Sequence, residues 1–292
     1  MKKISMLLIM LIISMSLFSC SSKSTKDVIV ASSFPIYDLT KRVVGDKYEV
    51  ETFTPAGVEP HEFEPTPSNV AKLHDSILYV ENGLGFEKYE LDEEIRNKTL
   101  TLSEGIEVIY SNHLHGGENT KEIDPHIWLS LPNAIKMMEN VYNKVKIIDP
   151  QNESYYRQNY LNNKILFEAL DSKFASELQN AKSTYLATTH EAFGYLCHEY
   201  GLTQISIMGI STEDKPTPQQ LISIQEEIND KGITTIFSEE LQSEDFAKSV
   251  SEALNIKCDV LNTIEGLTDS TSAADYLTLM AFNYQRIVEA LC

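Results

Sequence analysis

Short β-rich runs alternate with helical ones from the first apolar strand onward. Val28-Ile29-Val30-Ala31 reads as a strand, and Pro35 opens a helix through Asp38-Leu39 to Val44 before Gly45 stops it. Tyr48 to Phe53 alternates polar and apolar positions. Ser68-Asn69 caps a helix to about His74, and Ser76 to Val80 and Thr99 to Leu102 are further expected strands. The middle of the chain differs. No glycine occurs between Pro132 and Lys182, and Pro150 is the only proline after Pro132 in that stretch. One helix is expected to end near Ile148 and another to start at Asp149-Pro150. The second carries Tyr156, Leu161, Ile165, Phe167, Leu170, Phe174 and Leu178, mostly at helical spacing. At roughly 30 residues it would span about 45 Å, enough for a strut between two bodies.

After the strut the βα alternation resumes. Strands are expected at Tyr185 to Thr188, Gln204 to Met208, Ile233 to Phe237 and Ile256 to Leu261, with helices at Glu191 to Tyr200, Pro218 to Asp230 and Ala273 to Leu291. Alternation of this kind argues for parallel sheets covered on both faces. The expected fold class is α/β: two βα lobes with parallel sheets, joined by a long rigid linking helix. The boundaries fall at 28–149 for the N-terminal lobe, 150–182 for the linking helix and 183–292 for the C-terminal lobe.

The chain ends and the charge balance narrow the setting. Met1-Lys2-Lys3 and the apolar run from Met6 to Phe18 have the layout of an export signal over residues 1–19. The run is too short to cross a bilayer, which takes roughly 20 residues. Leu17-Phe18-Ser19-Cys20 resembles the lipobox of bacterial lipoproteins, which implies lipidation at Cys20 and a polar tether over 20–27. The expected location is extracytoplasmic, lipid-anchored to the cell membrane. Net charge is −19, and no acidic residue precedes Cys20. Such a surface repels nucleic acid and anionic headgroups and attracts cations. Cys197, Cys258 and Cys292 form no C-x-x-C pair, so a cysteine metal site or redox motif is unsupported. Cys258 closes an expected strand and Cys292 ends the last helix, so these two are the expected disulfide partners outside the cytoplasm.

Three histidines carry the chemistry. His61, His126 and His190 are 65 and 64 residues apart, so no single helix or hairpin can bring them together. Only the whole fold can do so, and three neutral imidazoles from separate segments are what a tight zinc centre needs. His190 directly follows the strand Tyr185 to Thr188, at the strand end where open α/β sheets bind ligands. Glu265 follows the strand ending at Leu261 and offers a fourth donor, with Asp259, Asp269 and Asp275 as nearby rivals. Glu239 or Glu240 could orient a ligand imidazole.

At these residues the chain resembles the metal-binding receptors of ABC importers, the cluster A-I solute-binding proteins. Gly57-Val58-Glu59-Pro60-His61-Glu62-Phe63-Glu64-Pro65 resembles the first-ligand motif of that family, and Glu81-Asn82-Gly83 fits it too. Asp124-Pro125-His126-Ile127-Trp128 resembles the second, and Thr189-His190-Glu191-Ala192-Phe193-Gly194-Tyr195 the third. The resemblance implies two lobes, a rigid linking helix and one buried divalent ion handed to ABC permease membrane subunits by a monomeric, non-enzymatic receptor. It carries the metal ligands over to His61, His126, His190 and, more weakly, Glu265. Manganese-type members have a carboxylate at the third position, where this chain has His190. Three imidazoles with one carboxylate suit four-coordinate Zn²⁺, whereas Mn²⁺ prefers oxygen donors, so Zn(II) is the expected cargo and Mn(II) the alternative.

Two other classes compete. A zinc hydrolase of H-E-x-x-H type needs histidine where the chain has Pro65 and Gly194, and no G-x-S-x-G occurs. A surface adhesin is the third reading, and nothing in the sequence tests it. His113, His115, Glu118 and Glu122 form a brief polar loop before His126, read as solvated rather than as an accessory zinc site.

Overall fold

The computed structural model describes residues 27–111, 114–115, 118–119, 121–210, 217–240, 244–268 and 271–292. Cys20, the export signal, most of the tether, His113 and Asp269 lie outside the described residues, as do the side chains of His115 and Glu118.

Two four-stranded parallel sheets are built to the same plan. In the first, β1 (Val28–Ala31), β2 (Glu49–Thr52), β3 (Leu78–Glu81) and β4 (Thr99–Thr101) run in the order β2-β1-β3-β4. Two small antiparallel pairs follow, β5 (Tyr110–Ser111) with β8 (Glu122–Ile123) and, within it, β6 (Leu114–His115) with β7 (Glu118–Asn119). The second sheet holds β9 (Tyr185–Thr188), β10 (Thr203–Ser206), β11 (Thr235–Glu239) and β12 (Lys257–Leu261), in the order β10-β9-β11-β12. Each sheet therefore has a switch point at the carboxyl ends of its first and third strands, where α/β sheets open a crevice.

Helices cover the sheets. In the first lobe these are α1 (Phe34–Val44), α2 (Pro67–Asp75), α3 (Glu93–Asn97) and α4 (Leu131–Ile148). The strut is α5 (Glu153–Leu178), and α6 (Gly194–Tyr200), α7 (Pro218–Asp230), α8 (Glu244–Leu254) and α9 (Tyr276–Leu291) complete the chain. At 26 residues, α5 is slightly shorter than expected from sequence because residues 150–152 form a separate 3₁₀ turn. It is pinned along its length. Asn159 and Asn163 donate to the carbonyls of Val43 and Arg42 at the end of α1. Phe167 stacks on Tyr276, and Phe174 stacks on Tyr284 with ring centroids 3.8 Å apart. Tyr200 meets the same Phe174 edge-on. One contiguous set of buried side chains runs from Ile29 in β1 through Trp128 and Phe167 to Leu261 and Tyr284, so apolar packing is continuous between the lobes.

Several elements depart from the sequence reading. The third-motif helix begins at Gly194 rather than Glu191, leaving residues 189–193 as an irregular turn. The final helix begins at Tyr276, where the Asp275 side chain accepts from Thr278 N and caps it. β11 continues to Glu239, two residues beyond the expected end. Helices α3 and α8 were not anticipated: five residues are too few to show a period, and α8 lies between two expected strands. The expected Cys258–Cys292 bridge is not formed, and all three described cysteines are free. Cys258 packs against the smaller core beneath the second sheet, whereas the Cys292 thiol lies 3.6 Å from the Glu177 carbonyl on α5.

Removing Phe174 takes away the ring that joins three helices. Phe174→Ala is expected to cost about 3–5 kcal/mol in urea unfolding. Ile165→Ala, at a position 63% exposed on the same helix, is expected to change stability by no more than about 0.5 kcal/mol.

Candidate metal centre

Each of the four donors is delivered by a different local device. His61 sits in the 3₁₀ turn Pro60–Glu62, whose preceding residue, Glu59, accepts from His61 N through Oε1 at 3.2 Å. His126 immediately precedes the 3₁₀ turn Ile127–Leu129. Its ring and backbone are both held by one carboxylate: Asp124 Oδ1 lies 2.7 Å from Nδ1 and accepts from His126 N at 2.9 Å. With Nδ1–H committed to Asp124, the lone pair of the neutral ring lies on Nε2, the nitrogen turned into the cluster. His190 leaves β9 at the switch point of the second sheet. Its Nε2 lies 2.7 Å from the Ile210 carbonyl, and its Nδ1 lies 2.9 Å from Glu239 Oε1 at the end of β11.

Glu265 follows a strained turn. Ile264 has φ 61°, a left-handed conformation that a β-branched residue adopts at a cost of about 1–3 kcal/mol. The turn is held from several sides. Asn262 Oδ1 accepts from Ile264 N at 2.7 Å, Trp128 Nε1 donates to the Thr263 carbonyl at 2.8 Å, and Gly57 N donates to the Leu267 carbonyl at 3.0 Å. Glu240 bonds Asn262 and Thr268 from the neighbouring strand. The result aims a carboxylate inward.

The four side chains converge. One donor atom each from His61, His126, His190 and Glu265 lies within 4.8 Å of all the others, and all four residues are buried. His61 Nε2 and His126 Nε2 are 3.2 Å apart, and Glu265 Oε1 lies 3.2 Å from His126 Nε2 and 3.7 Å from His61 Nε2. Zinc–nitrogen bonds of 2.0–2.1 Å arranged tetrahedrally put ligand atoms about 3.3 Å apart, so these separations are those of tetrahedron edges. Neither Glu265 oxygen makes an ordinary hydrogen bond among the described residues, although Glu265 is only 1% exposed. Such a carboxylate needs a cation. Below the donors, Phe86 meets the His61 ring edge-on and Trp128 does the same to His126. The wall is apolar on that side.

The rival residues are engaged elsewhere. Asp259 pairs with Lys257 at 2.8 Å, and Asp275 caps α9 and pairs with Arg42. His74 lies between Asp92 and Glu94 on the surface. Sequence reasoning gave no role to Asp124, Phe86 or Gly194. The available signal for Asp124 was its place two residues before a ligand histidine, within reach of that residue's own backbone N–H.

Electrostatics set the protonation of these donors. Burial holds His61 below its ordinary pKa. Burial also opposes charge on His190, but the Glu239 and Glu265 carboxylates outweigh it and raise its pKa to about 10. For His126 burial is outweighed by Asp124 and Glu265, so its pKa is raised as well. Burial works against ionisation of Glu265, yet its contacts with His126 and His61 hold its pKa well below the ordinary range. Glu59 is the opposite case: burial, then Glu265, push its carboxyl up to about 9. In the metal-free cluster His190 thus carries an imidazolium proton at neutral pH.

A family match comes from the whole chain. The family described as "Zinc-uptake complex component A periplasmic" matches residues 29–290. This chain belongs to that family. A zinc-binding lipoprotein, AdcA of Streptococcus pneumoniae, is 34% identical over 98% of the chain, although the chain spans only 60% of that relative's length. The high-affinity zinc uptake system protein ZnuA of Bacillus subtilis is 30% identical over 94% of the chain and 90% of its own length. The Zn(II)-bound ZnuA-like domain of Streptococcus pneumoniae AdcA superposes with a TM-score of 0.77, at 29% identity, covering 91% of this chain and 99% of that domain. The family is one of solute-binding receptors rather than enzymes.

Because His190 holds a proton that a cation must displace, binding is expected to release protons and to tighten as pH rises toward its raised pKa of about 10. Zinc titration calorimetry near pH 7.5, in buffers of different ionisation enthalpy, should show roughly one or more protons released per ion. Heats that do not depend on the buffer would contradict this electrostatic picture.

Proposed function

We propose that this protein is an extracytoplasmic receptor that binds one Zn²⁺ between its lobes and delivers it to the membrane subunits of an ABC permease. His61, His126, His190 and Glu265 are the ligands of the transported ion. The observation that carries this reading is the donor set: three imidazoles and a carboxylate, all buried, with one donor atom each within 4.8 Å of all the others. Nitrogen-rich four-coordination favours Zn²⁺ over Mn²⁺, which lies at the weak end of the divalent series and prefers oxygen. The zinc-binding and zinc-uptake names of the relatives support the same cargo.

The protein performs no chemistry on its cargo. A catalytic zinc keeps a coordination position open for water, and Glu265 fills the fourth position here. Lipid at Cys20 holds the receptor on the outer face of the cell membrane, where it acts as a monomer, and residues 20–27 serve as the tether. The lobes correspond to residues 28–149 and 183–292, with 150–182 as the linking segment. The AdcA relative is itself named a lipoprotein, which supports the anchor.

Calorimetry on metal-free protein should show Zn²⁺ binding much more tightly than Mn²⁺, the order expected for a nitrogen-rich site. His190→Ala should purify with little or no zinc by elemental analysis. Tighter binding of manganese, or a His190→Ala protein that retains stoichiometric zinc, would overturn the assignment.

A further inference from the structure

Gly194 is the first residue of α6, four residues after the His190 ligand, and its φ lies outside the left-handed region. Glycine is therefore not needed there for backbone conformation. What it supplies is room. A Cβ at this position would run into Asp124 Oδ2 and would come within 3.1 Å of Ile109 Cδ1.

Asp124 is not free to move aside. Its other oxygen, Oδ1, holds both the ring Nδ1 and the backbone N–H of His126, at 2.7 and 2.9 Å. Its own carbonyl accepts from Tyr195 Oη at 3.1 Å, and that hydroxyl accepts from Ile109 N at 3.3 Å. Asp124 is 2% exposed, so no solvent lies beside it to take up a displaced carboxylate. The neighbouring Ser111 donates to Glu191 at 2.7 Å, a second link between the same two segments. The turn that supplies one imidazole from the second sheet is thus packed onto the residue that aims another imidazole from the first.

We propose that Gly194 is a positioning residue for metal affinity: lacking a side chain, it lets the first turn of α6 wall in the Asp124 carboxylate and keep it on His126. The inference rests on the zinc-receptor reading and adds a coupling between the two lobes to it. Methylating this contact displaces Asp124, turns the His126 ring and opens the tetrahedron without touching any ligand. Removing an orienting partner of a ligand histidine typically costs about 10–100-fold in metal affinity, and that is the scale expected.

The test compares wild type, Gly194→Ala, Asp124→Ala and the double variant by zinc competition titration against a chromophoric chelator. Thermal melting and the Co²⁺ visible absorption spectrum are recorded in parallel. Gly194→Ala is expected to bind zinc about 10–100-fold more weakly and to change the Co²⁺ spectrum. Once Asp124 is already alanine, the same change should alter affinity by no more than about twofold, since the group it displaces is gone. If Gly194→Ala does not fold, the double variant decides: folding and binding zinc as Asp124→Ala does supports the proposal, and remaining unfolded overturns it. Wild-type affinity in Gly194→Ala, or an equal loss in both backgrounds, also overturns it. A wild-type protein that fails to bind zinc would remove the receptor reading itself, a result distinct from these.

Discussion

Three imidazoles and a carboxylate packed against one another in a dry seam are held there only if something compensates for their lost water. The described part of this protein supplies half of that compensation. Asp124 stands behind His126, and Glu239 and the Ile210 carbonyl stand at the two ring nitrogens of His190. A divalent cation supplies the rest. The cluster's charge is balanced by protons in one state and by an ion in the other, which makes loading an exchange rather than a simple addition.

The convergence follows from building one topology twice. Each sheet has its first and third strands side by side, and each presents the carboxyl ends of those strands to the seam. His190 and Glu239 leave neighbouring strands β9 and β11 at the switch point of the second sheet, which is why they meet. Glu265 enters by the next strand over, through a turn whose left-handed Ile264 is held by Asn262 and flanked by the Trp128 bond to Thr263 from the opposite lobe. Helix α5 fixes how far apart the lobes sit, through Asn159 and Asn163 at one end and Phe174 at the other. Strain at Ile264 is tolerated because bonds from both lobes hold the turn around it.

Much of this was legible before any coordinates. The βα alternation gave the two parallel sheets, and the glycine-free stretch gave the strut. The three histidines stood out because each lies in a motif rich in proline or strand-end residues. Other features depend on partners distant in sequence. The need for Gly194 appears only once Asp124 lies over it from the other lobe. Helix α3 was too short to show a period. The helix of the third motif was drawn three residues too early, since Glu191 and Ala192 read as helix formers yet stay in the ligand turn. The expected disulfide failed because Cys258 belongs to the small core of the second sheet, while Cys292 ends against the strut.

The central claim is that nitrogen donors from both lobes share one ion with a single carboxylate. X-ray absorption at the zinc edge, on protein loaded with one equivalent, reads that coordination shell directly. The account predicts four light-atom ligands at about 2.0–2.1 Å with the multiple-scattering signature of three imidazoles. A shell of six oxygens, or one with a single imidazole, would contradict it.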